Sequence, residues 1–399
     1  MGNAIISRRG GVSTKIKFEN FSGAGGLKHS EATSLSGARE QLAATTVGDY
    51  ALFAGGEGST AVDAYNSSLT ISTPTALSVG RSDLAATTVG NYALFAGGEN
   101  SSGTRVTNVD AYNSSLTRST PTALSAATNW PAATTVGSYA LFGGGYGTDY
   151  SNVVNAYNSS LTRSTPTALS VARVRAAATT VGDYALFGGG YYYDNSGKVN
   201  PTIVDAYNSS LTRSTPTSLS VGRDMLAATT VGDYALFGGG YGTDYSNVVD
   251  AYNSNLTRST PTALSVARHQ LAATTVGSYA VFAGGYCSAE CSAAVDIYNS
   301  SLTRSTAPDL TNPREEFAAT TVGSYALFGG GESYTDAASL GHVATVDAYK
   351  AGASFTVYKG SSYKFQNMDE EITVSSNMEI IAVPEPVTGY IKVKNIIIS

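Results

Sequence analysis

The tetrapeptide Thr-Thr-Val-Gly occurs seven times in this chain, and the spacing of its copies follows a simple rule. Its glycine stands at positions 48, 90, 137, 182, 232, 277 and 323, so successive copies are 42, 47, 45, 50, 45 and 46 residues apart. Each copy is followed by a double glycine and then by "VDAY" or a close variant, and the connection between them is 5, 10, 8, 13, 8, 9 or 14 residues long. Subtracting the first six connections from the six spacings leaves 37 residues every time. All of the length variation therefore lies in one connection per unit.

Each unit contains four short apolar segments that are separated by turn residues. We predict strand a around "AATTV", strand b at "YALFGG", strand c at "VDAYN" and strand d at "TPTALSV". Seven copies of a four-stranded unit of this length are typical of a β-propeller, because one such unit cannot bury its own faces and must stack against its neighbours. The small Ala and Thr side chains of strand a suit the crowded centre of a ring. The sequence thus predicts an all-β, seven-bladed propeller over residues 31–349.

The two ends of the repeat region predict how the ring closes. The seventh unit stops after "VDAYK", whereas "EATSLSGAR" at 31–39 aligns without gaps with "TPTALSVAR" at 165–173. We therefore expect an N-terminal strand to complete the last blade, which leaves no open edge. Residues 1–30 are predicted to be an arm or anchor. Residues 350–399, with several alternating apolar runs, are predicted to be a small β-module or extra strands on the propeller.

Two charged residues recur in almost every unit, which predicts a structural role for them. One is the Asp of "VDAY", which is replaced by Asn155 in the third unit, and the other is the Arg that closes strand d, which is replaced there by Thr128. We expect the Asp to accept hydrogen bonds within its blade.

The connections between strands differ in how much they vary. Because neighbouring strands are antiparallel, the a–b and c–d turns share one face of the disc, and the b–c and d–a connections share the other. The first pair is nearly constant in sequence. The second pair, which we call the loop face, varies in nearly every unit. Surface drift is the simpler explanation, but drift alone should also have changed the first pair, so we interpret the loop face as a binding surface.

The composition of the loop face favours recognition. Its connections are rich in Tyr, Ser, Gly, Asn and Asp and contain the chain's one Trp. Aromatic side chains offer rigid area at low entropic cost, and their planes suit sugar rings. The predicted ligand-binding residues are Trp130, Tyr146, Asp149, Tyr150, Tyr191, Tyr192, Tyr193, Asp194, Tyr241, Asp244, Tyr245 and Tyr286.

The units resemble kelch repeats over about residues 31–349. The matching residues are the double glycine after an aliphatic-aromatic run, as at Gly55 and Gly56, the Tyr of "VDAYN" and the closing Arg. One departure is the "LTRSTPT" segment, which stands where kelch units usually carry a Trp. Copper oxidases with a kelch-like propeller are similar in architecture only, because no set of His, Tyr and cross-linked Cys ligands is visible in this sequence.

The first residues, "MGNAIISRRGG", resemble the N-termini of some virion and tail-associated proteins that phages and prophages of gut Firmicutes encode. This resemblance implies a virion location and contacts with other tail proteins through the chain ends. No apolar run of signal-peptide length is present at the start, which fits such proteins because they leave the cell by lysis.

Several classes of function are disfavoured. A net charge of −6 with 14% charged residues gives no support for nucleic-acid binding, and no segment approaches a membrane span. His269 and His342 do not by themselves specify a triad or a metal site, and Cys287 and Cys291 supply only two zinc ligands at most. We expect no catalytic residues, no metal and no cofactor.

The sequence therefore predicts a non-enzymatic protein that recognises a cell-surface glycan or protein through its loop face, as a phage-tail component that attaches to host cells. A structural decoration or assembly protein of a virion is the first alternative. A glycan-degrading enzyme, which would need a carboxylate pair or a His/Tyr group in the loops, is the second.

Overall fold

A computed structural model of the chain shows the seven-bladed propeller. It describes residues 4–7, 14–16, 26–288, 290–335, 338–351, 354–359, 361–364, 372–374 and 379–385. Every regular element in these ranges is a β-strand. None of the described residues form a helix that could cross a membrane.

Each blade is an antiparallel four-stranded sheet whose strand a lies nearest the axis. The a strands are Ala43–Val47, Ala85–Val89, Ala132–Val136, Ala177–Val181, Ala227–Val231, Ala272–Val276 and Ala318–Val322. The b strands are Tyr50–Ala54, Tyr92–Ala96, Tyr139–Gly143, Tyr184–Gly188, Tyr234–Gly238, Tyr279–Ala283 and Tyr325–Gly329. The c strands are Val62–Asn66, Val109–Asn113, Val154–Asn158, Val204–Asn208, Val249–Asn253, Val295–Asn299 and Val346–Ala351.

The outermost strands are shorter. In blades one to six they are Ile71–Ser72, Arg118–Ser119, Arg163–Ser164, Arg213–Ser214, Arg258–Ser259 and Arg304–Ala307. In blade seven the outermost strand is Leu27–Ala32, which lies beside strand c of that blade. This confirms that an N-terminal strand completes the last blade, but the strand precedes most of the aligned segment 31–39 and includes only Glu31 and Ala32 of it.

Threonine hydroxyls join the a strands around the axis. Thr46 Oγ1 of blade one lies 2.9 Å from Thr320 Oγ1 of blade seven and donates to the carbonyl of Thr321 at 2.8 Å. Equivalent bonds join other neighbouring blades, as from Thr135 to the carbonyl of Thr88 at 2.7 Å. The repeated "TT" is thus explained by hydrogen bonds that close the ring at its narrowest radius.

The hydrophobic core lies between successive blades. Val47 and Leu52 of blade one pack with Phe95 and Tyr112 of blade two, and all four are buried. Within a blade the Phe of strand b meets the Tyr of strand c edge-to-face, as for Phe95 and Tyr112, whose ring centroids are 5.9 Å apart. Such pairs contribute beyond their burial, so stacking of blades fixes these residue types in every unit.

The prediction that "TPTALSV" forms strand d is wrong. In blades one to five the outermost strand is the pair of residues just before this segment, for example Arg163–Ser164, and the segment itself is irregular. It instead forms a strap that packs on the next blade. Thr167 accepts a hydrogen bond at 2.7 Å from the hydroxyl of Tyr207 in strand c of blade four, and Leu169 is buried. The side chains of the next blade satisfy polar groups of the strap, so it does not need a strand ladder.

The repeated Arg and Asp are confirmed as structural, and their bonds extend beyond a single blade. Arg173 at the end of the strap from blade three donates to Asp205 Oδ2 in blade four at 2.7 Å, and both side chains are fully buried. The same pairing occurs at Arg39–Asp63, Arg81–Asp110, Arg223–Asp250, Arg268–Asp296 and Arg314–Asp347.

The third blade replaces both members of this pair together. Thr128 takes the place of the Arg, and Asn155 takes the place of the Asp. Asn155 Oδ1 still accepts a hydrogen bond from the Ser125 N–H at 3.0 Å, as Asp205 does from the Ser170 N–H. The double replacement therefore leaves no unpaired buried charge.

A small β-module is present, and it combines strands of the C-terminal segment with N-terminal strands from the residues that were predicted to be a separate arm. Its strands are Ala4–Ser7, Thr14–Ile16, Ser354–Lys359, Ser361–Lys364, Ile372–Val374 and Glu379–Glu385. The first N-terminal strand pairs with the last C-terminal one, with Ala4 opposite Ala382. By its internal contacts the chain divides into two units, one of Ser30–Tyr349 and one of Met1–His29 with Lys350–Ser399.

Candidate binding face

The double glycine of each blade lets the b–c loop leave the sheet beside the d–a connection. Gly144 has a φ of +74°, and a Cβ there would lie 2.7 Å from the carbonyl oxygen of Arg173. The residue after the double glycine then pairs with the first residue of the d–a connection, as Tyr146 does with Asn129 and Tyr191 with Val174. In blades two to seven the first side chain of the loop is therefore held on an extension of the blade.

These first loop residues divide the loop face into two sectors. They are Tyr146, Tyr191, Tyr241 and Tyr286 in blades three to six, and Glu332, Glu57 and Glu99 in blades seven, one and two. Four consecutive blades thus present tyrosine at this position, and three consecutive blades present glutamate.

The tyrosine sector forms an aromatic arc, in which Lys198 spans the gap between the rings of blades four and five. We define it as Tyr146, Tyr150, Tyr191, Tyr193, Tyr241, Tyr245, His269 and Tyr286. The rings of Tyr146 and Tyr150 are 5.3 Å apart, and Tyr150 reaches Tyr191 of the next blade at 6.0 Å. Further along, the imidazole of His269 stacks on Tyr245 at 5.3 Å and on Tyr286 at 5.6 Å.

Cationic side chains lie over the rings of the arc. Lys198 Nζ lies 4.8 Å from the centroid of Tyr191 and 5.0 Å from that of Tyr241, so it bridges blades four and five. The Arg105 guanidinium lies 5.2 Å from the centroid of Tyr146. Lys198 is also paired with Asp224 at 3.0 Å. Cation–π contacts and this ion pair hold the arc in place.

The other predicted site residues have different surroundings. Tyr192 pairs with Val199 in the hairpin of Tyr192–Asp194 and Gly197–Val199, and strand alternation turns it away from its two neighbours. The carboxylates of three predicted residues accept hydrogen bonds from nearby main-chain N–H groups and so stabilise turns. They are Asp149, Asp194 and Asp244, which bond the N–H groups of Tyr150, Ser196 and Tyr245 at 2.7 Å.

Trp130 lies at the axis, apart from the arc. The second residue of each d–a connection is in the left-handed region with φ between 48° and 56°, and its side chain lines a central cavity of about 240 Å³. These residues are Gln41, Asp83, Trp130, Arg175, Met225, Gln270 and Glu316. Main-chain hydrogen bonds join neighbours in this ring, as from Trp130 to Asp83 at 2.9 Å and from Asp83 to Gln41 at 3.0 Å.

The side chains of the axial ring mostly bind one another. The Arg175 guanidinium lies 4.3 Å from the Trp130 ring, and Glu316 accepts hydrogen bonds from Gln41 and Gln270. Burial, followed by repulsion from Glu316, raises the pKa of Asp83 to about 7. The residue type at each position of the axial ring therefore depends in part on the side chains at the neighbouring positions.

The glutamate sector gathers carboxylates of blades seven and one. Burial raises the pKa of Glu40 to about 8, and a hydrogen bond with Glu332 and repulsion from Glu316 act in the same direction. Burial also raises the pKa of Glu315 to about 7, with repulsion from Glu316 and Glu332. These carboxyls are thus held where their charged form is unfavourable.

The constancy of the opposite face has a packing cause. The a–b turn glycine of one blade lies against the c–d turn of the next: a Cβ on Gly137 would meet Ser209 Cβ at 3.0 Å, and one on Gly182 would meet Ser254 Cβ at 3.1 Å. Both glycines have positive φ. Packing between blades therefore fixes these turns, so the contrast between the two faces does not by itself indicate binding.

Sequence reasoning missed several residues of this face. Lys198, His269, Arg105 and Arg175 contact the predicted aromatic residues but were not predicted to be part of the site. The order of Tyr and Glu after the double glycines, read around the ring, is the signal that could have revealed both sectors.

No protein-family model matches the chain, and neither does any curated protein sequence.

The surroundings of His269 in the arc predict that the protein loses stability in mild acid. Burial, aided by the positive charges of Arg175 and Lys198, lowers the pKa of His269 to about 4. Because the folded protein favours the neutral imidazole, the unfolded chain takes up the proton first as the pH falls below the ordinary histidine pKa of 6.5. The contribution of His269 to the free energy of unfolding is therefore complete above pH 6.5 and is lost as the pH falls toward 4. Because His269 is partly exposed, we expect about 1–2 kcal/mol of its contribution to disappear over this range.

Denaturant unfolding of the wild type and of His269→Gln between pH 7 and pH 4 checks this expectation. The variant should show a shallower decline, since all other titrating groups are shared by the two proteins. Parallel curves would show that protonation of His269 has no part in acid destabilisation.

Proposed function

We propose that this protein is a non-enzymatic recognition protein that binds a carbohydrate on a cell surface through the aromatic arc of its loop face. The observation that carries the proposal is the continuity of the arc across four blades, from Tyr146 to Tyr286, with each ring within about 6 Å of the next ring or of the bridging Lys198. Propellers commonly bind partners on one face of the disc. A row of rings on such a face offers several stacking positions for successive sugars.

The chemistry of the arc supports an extended glycan over a compact ligand. Tyr193, at 57% exposure, is the most exposed large apolar side chain among the described residues, and Tyr191 beside it contacts both Tyr150 and Tyr193. The small polar residues of these loops can bond sugar hydroxyls. Rigid rings beside adaptable polar groups are typical of recognition surfaces.

The biological setting that we propose is the virion of a phage, with the arc directed at the surface of a host cell. The resemblance of residues 1–11 to tail-associated proteins supports this setting, and the resemblance of the repeats to kelch units supports a binding role. The chain ends would then attach the protein to the particle.

A glycan array of bacterial surface polysaccharides tests the proposal. We expect the wild type to bind a restricted set of glycans, and Tyr150→Ala combined with Tyr193→Ala to weaken binding at least tenfold, as the loss of an aromatic anchor does. Tyr192→Ala is the matched control, because Tyr192 lies in the same hairpin but outside the arc. Equal weakening by the control, or no binding by the wild type, would contradict the proposal.

The glutamate sector favours the alternative of a glycan-degrading enzyme, since a carboxyl with a raised pKa is what a general acid requires. Incubation with each polysaccharide that binds, followed by chromatography, separates the two functions. Cleavage that Glu40→Gln abolishes would establish the enzyme, whereas intact polymer is expected of a recognition protein.

A structure of the assembled particle would show whether the loop face is instead buried in an assembly contact.

A further inference from the structure

Side chains from two adjacent blades converge in the glutamate sector. In the b–c loop of blade seven, strands Glu332–Thr335 and Ala338–His342 pair so that Glu332 lies opposite His342. Glu40 comes from the d–a connection that enters blade one. One carboxylate oxygen of Glu40, one of Glu332 and one imidazole nitrogen of His342 lie within 4.8 Å of one another.

Two carboxylate oxygens in this region have no partner. Glu40 Oε2 and Glu315 Oε2 are both buried and form no hydrogen bond. Glu315 is 9% exposed, its main chain pairs with that of Glu332 at 2.9 and 3.0 Å, and the charges of the two carboxylates repel each other. The charges that act on Glu40 are those of Glu316, Glu332 and Glu57, all negative. Arg175 supplies a positive charge near Glu315, but the charges that act on Glu40 include no cation. Buried carboxylate oxygens without a cation are costly, so the Glu40 carboxylate lacks a positive partner.

A neighbouring carboxylate already holds the imidazole of His342. Its Nδ1 lies 2.8 Å from Glu57 Oε1 of blade one. A histidine that donates from Nδ1 to a carboxylate presents Nε2 as a ligand, and this carboxylate–histidine arrangement recurs behind metal ions in proteins. Two carboxylates and one imidazole suit Zn²⁺ or Mn²⁺ better than Ca²⁺, which prefers oxygen ligands alone.

We propose that Glu40, Glu332 and His342 bind a divalent transition-metal ion, with Glu57 orienting the imidazole. The ion neutralises the partly buried carboxylates of Glu40 and Glu332 and ties the b–c loop of blade seven to blade one. This site is separate from the aromatic arc and does not depend on the proposed glycan binding.

Isothermal titration of the EDTA-treated full chain with ZnCl₂ and, separately, with MnCl₂ tests the site. We expect saturable binding of one ion per chain in both titrations. Glu332→Gln and His342→Gln should each weaken binding of both ions at least tenfold, and Glu57→Gln should weaken it by about 10- to 100-fold, as loss of an orienting residue does. Melting of the metal-free variants near the wild-type temperature shows that they fold.

Two controls make the result decisive. Glu99→Gln changes the equivalent position of blade two, where Arg105 pairs with the carboxylate at 3.2 Å, and should leave binding unchanged. Cys287→Ser tests whether the free thiols Cys287 and Cys291 bind Zn²⁺ instead. The proposal is overturned if the wild type binds neither ion, or if binding survives His342→Gln and is lost in Cys287→Ser.

Discussion

Replacing Asp205 by Asn should lower the free energy of unfolding by about 3–5 kcal/mol, the cost of leaving a buried charge without its partner. Arg173 and Asp205 are both fully buried, and their bond of 2.7 Å joins the strap of one blade to strand c of the next. The Arg173 guanidinium also donates to the carbonyl of Phe187 at 3.1 Å, but a carbonyl does not neutralise its charge. Denaturant unfolding monitored by near-ultraviolet circular dichroism measures the effect.

The natural third blade supplies the matched control for this change. Arg173→Thr combined with Asp205→Asn reproduces the pair Thr128 and Asn155, which the protein already tolerates. We expect the double variant to be more stable than Asp205→Asn alone, because no unpaired charge remains. Arg173→Thr alone completes the cycle. If the effects of the two single changes simply add, the ion pair has no special coupling and this explanation of the third blade is wrong.

Replacing Gly144 by Ala should cost about 3 kcal/mol or more. Its φ of +74° puts the backbone in the left-handed region, which residues with a Cβ avoid. A Cβ at this position would also lie 2.7 Å from the carbonyl oxygen of Arg173. The residue therefore combines backbone strain with a clash against main chain that cannot move aside cheaply. The free energy of unfolding from denaturant titration reports the sum of the two effects.

Gly103→Ala separates these two effects. Gly103 has the same φ of +74°, but the nearest atom to its Cβ would be Glu99 Oε1 at 3.7 Å, which is ordinary contact. We expect it to cost only the strain, about 1–2 kcal/mol. Equal losses at the two glycines would show that the close approach at the double glycine is not what fixes it.

The repeat arithmetic predicted the number of blades and strands a, b and c. In "AATTV", alternate residues are buried, and in "VDAYN" the first four are. These elements could be predicted because each strand carries its own pattern and the pattern recurs seven times. Strand d could not be predicted, because the apolar residues of "TPTALSV" do not belong to a strand. Leu169 instead packs on the next blade, and the sequence of a single unit does not reveal such a contact between units.

The candidate site was only partly predictable for a related reason. Seven of the twelve predicted residues lie in the arc, because tyrosine in a variable loop is a visible signal. The three predicted Asp residues bond to main chain close by, which depends on the conformation of each turn. His269, Lys198 and the glutamates are brought together by blades that are adjacent in space while their residues stand tens of positions apart in the chain.

By itself the sequence determined the propeller, the closure of its last blade and the face on which the units differ, because all three follow from repetition and length. Only the tertiary structure decided why one face is constant and how the side chains of the other face are grouped. Packing between blades, with Gly137 against Ser209, explains why one face is constant. On the other face, the ring of blades places four tyrosines beside one another and three glutamates beside one another, and this order around the axis separates an aromatic arc from a cluster of carboxylates.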